Sequence, residues 1–178
     1  MSQAEIVQFW FEDIEHSRWF VEDAEFDRQL EQRFGETLVE AREGRLDHWH
    51  DTATGSLALI IVLDQFSRNI HRESALSFAA DSKALQLTLD GIEKQFDKEL
   101  TLEQRSFYYL PLRHAEELEM QQLGLTQTRE INAAGYGSDK YALNHLDLIE
   151  RFGRFPYRNK VLGRENTAEE ELYLRQLD

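Results

Sequence analysis

The sequence predicts an all-α fold, with roughly eight helices packed as an antiparallel array or bundle in a single domain spanning 1–178. Three observations predict it. Apolar residues recur at i, i+3 and i+4 along almost every segment, and no run alternates in the way a half-buried strand requires. Helix-opening and helix-closing residues bracket those segments. The 178 residues form a chain long enough to bury a core without staples, and no low-complexity tract divides it.

Each element follows in order. Ile6, Phe9 and Trp10 line one face of a first helix, and Phe26, Leu30, Phe34 and Leu38 line a long second one that closes at Glu43-Gly44. RLDHWHDTATG reads as a connection, from which Asp51 or Thr52 caps a third helix carrying LALIIVLDQF. Its apolar positions continue through Leu59, Leu63, Phe66 and Ile70, so it reads as a buried central helix rather than a strand. A fourth helix is expected over Ser74–Leu89, ending at a turn on Asp90-Gly91. Thr101 and Gln104 form a capping box for the next stretch, which Pro111 breaks near Tyr109 and Leu110, with its second half ending at Gly124. A helix from Ser138 or Asp139 runs to Phe152 and stops at Gly153; the turn RFPYRN follows, and Thr167 with Glu170 opens a C-terminal helix.

Composition excludes several classes of function. No cysteine means no disulfide framework, no thiolate nucleophile and no Cys-ligated metal. A net charge of −14 repels nucleic acid and anionic membrane surfaces, so neither is an expected partner. The N-terminal MSQAEIVQFWFEDIE has no basic export signature, and the longest apolar run, Leu57 to Leu63, is far short of the roughly 20 residues that span a bilayer. A soluble, cytoplasmic protein is the expectation. There is no phosphate-binding Gly loop, no nucleophile elbow and no H-E-x-x-H, so neither a metal nor a cofactor is expected. The His48-Trp49-His50 chelate in a connection is too isolated to count.

Two polar segments stand apart. DQFSRNIHR follows directly on the most apolar helix and brings Asp64, Arg68, Asn69 and Arg72 to its end. Asp64 and Arg68, at i and i+4, can pair as a structural salt bridge, or Arg68 and Arg72 can share an anionic ligand at a cleft. HLDLIERFGRFPYRNKVLGR carries a local charge of +3, against −8 for the first fifty residues, and places Arg154, Arg158 and Asn159 on a turn after Arg151. Guanidinium groups match carboxylate and phosphate. His145, on an apolar helix face, and His114, ahead of Glu116 and Glu117, read as core histidines or as general bases facing a basic cleft.

LALIIVLDQFSRNIHR, YYLPLRHAEELEMQ and HLDLIERFGRFPYRNKVLGR, in this order and after an N-terminal FWF, resemble the bacterial domain of unknown function family 924, over about Ile6 to Leu174. The resemblance implies an all-helical fold similar to tetratricopeptide-repeat arrays, and it brings no established activity, substrate or cofactor. Departures from the family pattern fall at Ser67, Ala115, Glu117 and Tyr157.

Three functions remain open at this point. The first is binding of a small anionic metabolite or peptide carboxylate in a basic cleft built from Arg68, Arg72, Asn69, Arg151, Arg154, Arg158 and Asn159. The second is a metal-independent enzyme in the same cleft, with His145 or His114 as general base and Asp64 orienting it. The third is a protein-interaction scaffold whose polar clusters are salt bridges. An acidic exterior around a small basic site disfavours polyanions and admits one small anion.

Overall fold

Side-chain caps mark where α-helices begin at Ser2, Asp23, Thr52, Thr101 and Thr167. The structure is a computed structural model and describes residues 1–177, among which there are helices and turns but no strand. Ser2 and Glu5 form a capping box for α1 (3–13), which ends in a π-helical turn over Phe9–Asp13. Asp23 accepts from the amides of Glu25 and Phe26 to open α2 (Ala24–Arg42). Thr52, rather than Asp51, caps α3 (53–70), whose middle is a second π-helical turn over Ile61–Phe66. There follow α4 (Asp81–Glu93), α5 (Leu102–Tyr108), α6 (Leu110–His114), α7 (Leu118–Ala133), α8 (Lys140–Phe152) and α9 (Ala168–Leu174). The Thr101–Gln104 and Thr167–Glu170 capping boxes are both present, and the break between α5 and α6 falls at Tyr109.

α3 is the axis of the core. Every residue from Gly55 to Ser67 is buried, and α1, α2 and α4 pack around it. The aromatic side chains of three helices close the centre: Phe9 on Phe34 at 4.7 Å, Phe34 on Phe66 at 4.9 Å and Trp10 on Phe66 at 5.6 Å between ring centroids. A smaller apolar cluster, Leu148, Ile149 and Phe155 with Phe152 and Tyr173 against it, holds the C-terminal elements together. α7 packs against both α6 and α8, and so carries α8 to the side of the molecule where α3 ends.

Three sequence expectations are corrected. Gly91 does not end α4, which continues to Glu93, and Gly124 lies inside α7 rather than at its end. Both glycines serve close approach: a Cβ at Gly91 would collide with the Tyr108 hydroxyl, and one at Gly124 would sit 3.2 Å from Leu112 Cβ on α6. The Ser74–Leu89 stretch is not one helix, because Ser74 caps a short 3₁₀ turn over Ala75–Phe78 before α4 starts. No helix among the described residues is long and apolar enough to cross a membrane.

Candidate functional site

A cavity of about 320 Å³ opens where α3 ends, lined by Arg68, Arg72, Glu73, Ser77, Phe78, His114, His145, Tyr157 and Arg158. Four separate stretches of chain supply these residues, and each is held by identifiable local structure. The π-helical turn in α3 brings Asp64 to the α6 side while keeping it 1 % exposed; such wide turns reorient side chains within an otherwise regular helix. Past the end of α3, Glu73 adopts φ +60, a conformation uncommon outside glycine, and redirects the chain so that Ser77 and Phe78 face back across the cavity.

His114 is the last residue of α6. Its Nδ1 lies 2.7 Å from Asp64 Oδ1, so the imidazole donates to the carboxylate and leaves Nε2 unprotonated on a residue that lines the cavity. Asp64 also accepts from Gln65 Nε2 at 2.5 Å and pairs with Arg68 at 3.0 Å. Burial by itself would raise the Asp64 pKa. The neighbouring Arg68 charge, His114 and these hydrogen bonds outweigh it and hold the carboxyl well below its usual range. Burial, reinforced by Arg68 and opposed by Asp64, pushes His114 down to about 4, so the ring is neutral at pH 7.

His145, on α8, meets the same cavity from the other side, with its ring centroid 6.2 Å from that of His114. Its Nδ1 donates to the Arg113 carbonyl at 2.9 Å, which fixes the tautomer and again leaves Nε2 as an acceptor. Burial lowers this histidine also to about 4. The buried Gln121 amide of α7 donates to the carbonyls of Arg113, at 2.8 Å, and Ala115, at 2.6 Å. These carbonyls at the end of α6 lack helical partners, so one glutamine both satisfies them and sets the platform for His145.

The cations differ sharply in how completely they are paired. Arg68 is saturated, with a two-pronged contact to Asp81 at 2.8 and 2.9 Å, the Asp64 carboxylate, and the Asp64 carbonyl at 3.0 Å. Arg72 makes a two-pronged contact with Asp27 of α2, at 2.7 and 3.0 Å. Arg158 is 6 % exposed, yet its nearest carboxylate, Asp81, is 3.5 Å away, and its buried Nε has no partner. Its guanidinium is held between the Phe78 and Phe155 rings, at 4.6 and 4.5 Å from their centroids. Burial lowers its pKa from the ordinary arginine value, as it does for Arg113 and Arg42.

Of the residues singled out from the sequence, Arg68, Arg72, Arg158, His114 and His145 meet at this cavity, and Asp64 lies directly behind His114. The others do not line it. Arg151 is half exposed and reaches Asp147 and Glu169; Arg154 is held by Glu170 at 2.6 and 2.7 Å; Asn159 donates to Asn166; Asn69 is buried on α3. Glu116 does not serve His114, because Arg164 and the Phe155 amide occupy it. Asp81, Phe78, Ser77 and Glu73 are residues in and around the cavity that sequence reasoning missed. They lie in SALSFAAD and just before it, where nothing in spacing or composition marks them. Tyr157, visible in the sequence only as a departure from a pattern, also lines the wall.

A family model described as a bacterial protein of unknown function (DUF924) matches residues 6–178. Among solved structures, this chain is similar to the protein of unknown function ATU0120 from Agrobacterium tumefaciens, at 38% identity and a TM-score of 0.88, over 98% of this chain and 97% of that one. No curated protein matches.

Proposed function

The chain belongs to the bacterial family DUF924, whose function is unknown, and we propose that its cavity binds a small anionic metabolite through a carboxylate or similar oxyanion held by Arg158. One observation carries this reading: a buried guanidinium, oriented by two aromatic faces, with an incomplete ion pair and an orphaned Nε at the wall of a cavity of about 320 Å³. An uncompensated buried cation is costly, and an anionic ligand removes that cost on binding. The two neutral histidines add hydrogen-bond acceptors, which suit a ligand that carries a hydroxyl beside its anionic group. The net charge of −14 repels polyanions and leaves a ligand of one or two charges as the favoured guest.

Thermal shift in succinate, citrate, phosphate and pyrophosphate tests this. A ligand at a hundred times its Kd stabilises by about 2.7 kcal/mol, a rise of several degrees for a chain of this size. The expected result is a rise for wild type that Arg158→Gln lacks. No rise with any of the four, or an equal rise in both proteins, overturns the reading.

A further inference from the structure

We propose that the cavity is a hydrolytic site for activated esters of small carboxylic acids, in which His114, aligned by Asp64, takes a proton from a water molecule and Arg158 meets the oxyanion that develops on the acyl group. The proposal rests on the anion-binding reading, because the carboxylate held by Arg158 is then the reaction product. It begins from geometry. A buried ionised carboxylate 2.7 Å from Nδ1 fixes the tautomer of a histidine that lines a cavity and leaves its Nε2 as the acceptor, the arrangement by which a general base is oriented.

Water is the nucleophile in this step; Tyr157 also lines the cavity, but burial raises the pKa of its hydroxyl and keeps it protonated. Ser77 lines the cavity, but its hydroxyl donates to the His71 carbonyl, and the chain has no cysteine. Phe78 and Tyr157 supply an apolar wall for the acyl group. The class of ester follows from base strength. A histidine that gains its proton only near pH 4 is a weak base, suited to an electrophile with a good leaving group, such as an aryl ester or thioester, rather than to removal of a proton from carbon.

The step balances without any further reagent. Nε2 of His114 accepts a proton from water as the water oxygen bonds to the acyl carbon, and the carbonyl electron pair moves onto the oxygen beside Arg158. Collapse re-forms the carbonyl and breaks the bond to the leaving group, which takes the proton from Nε2. An acid and an alcohol, phenol or thiol leave, and His114 returns to its neutral form.

The charged and titratable groups around His114 are Asp64 and Arg68 from α3, Arg158 and Tyr157 from the turn after α8, His145 from α8, and Arg72 and Glu73 in the same cavity wall. The rate therefore rises as pH increases through about 4 and is level from about pH 6 to 8, where the base is already deprotonated.

The experiment uses p-nitrophenyl acetate and mono-p-nitrophenyl succinate with the full chain. Wild type is expected to release nitrophenolate over many turnovers, and His114→Gln, with its fold verified by circular dichroism, to be at least about 100-fold slower. As a positioning residue, Asp64 is tested through Asp64→Asn, expected to lower kcat while leaving KM within about twofold of wild type. Equal rates for wild type and His114→Gln on both esters, or a single burst without turnover, overturn the hydrolytic proposal. If succinate still raises the Tm through Arg158 in that case, anion binding survives alone. His114-dependent turnover that is unchanged in Arg158→Gln overturns the assigned role of Arg158 instead.

Discussion

Arg154 and Arg158 are four residues apart in one basic turn, and the molecule uses them in opposite ways. Arg154 closes on Glu170, whose carboxylate also caps α9 by accepting from the Thr167 amide at 2.7 Å. Arg164 does the same with Glu116, which in turn binds the Phe155 amide. In this C-terminal clasp each of these charges is answered, and its arginines tie α6, α8 and α9 together. On the cavity side, Arg158 is buried more deeply and paired less well. A cluster of basic residues thus does not mark a site by itself; what marks it is a buried cation whose partners stop short.

Substitutions on either side of this contrast have effects of very different size. The largest is expected at Asp64, where truncation to Ala leaves His114 without its acceptor and removes one of the two carboxylates on Arg68. A loss of about 3–5 kcal/mol in urea unfolding is expected. A loss under about 1 kcal/mol would show that Asp64 is not the keystone of the cavity wall.

Next comes pH. His114 and His145 are held near 4, below the 6.5 of an unfolded chain, so the unfolded state binds more protons between these values. Stability is therefore full above about pH 6.5 and falls as pH drops towards 4. His114 accounts for roughly 3 kcal/mol of that fall, because a tenfold change in proton affinity corresponds to about 1.36 kcal/mol. Asp64 does not add to it in this window, because a carboxyl held below its usual 3.8 loses its contribution only below that pH. His114→Gln is expected to make the Tm fall less steeply between pH 6.5 and 4, with His145 keeping its own share of the slope. An unchanged slope would remove His114 from the account.

The smallest effects separate the two arginines. Arg154→Met leaves Glu170, 1 % exposed, without its cation and is expected to lower the Tm by about 4 °C or more. Arg158→Met removes a charge that is poorly compensated and keeps an aliphatic stem between Phe78 and Phe155, so its Tm is expected within about 2 °C of wild type. Thermal melts of the two variants side by side decide the matter. Equal losses would mean that Arg158 is a structural cation like Arg154.

The starts of α3, α5 and α9 were legible because they are local events. Thr52, Thr101 and Thr167 accept from amides three residues on, and a capping residue announces itself within one turn of chain. Gly153, at φ +67, ends α8 where the sequence places the end. Gly91 and Gly124 misled for the opposite reason: their role is set by Tyr108 and Leu112 on other helices, and no sequence window around them contains that information. The site shows the same divide. Arg68, Arg72, Arg158, His114 and His145 were found as polar residues in places that resist them, whereas Asp81 and Phe78 matter only because of what faces them.

The helical class, the buried character of α3, the segregation of charge and the family were all readable from the chain alone, since periodicity, capping and composition act over short distances or over the whole chain. Packing in three dimensions settled which carboxylate Arg68, Arg72 and Arg154 meet, that His114 is oriented by Asp64 fifty residues earlier, and that Arg158 reaches the cavity with its nearest carboxylate 3.5 Å away. Pairing of charges is a contest among all groups that folding brings within about 4 Å, and its outcome depends on neighbours that no local stretch of sequence contains.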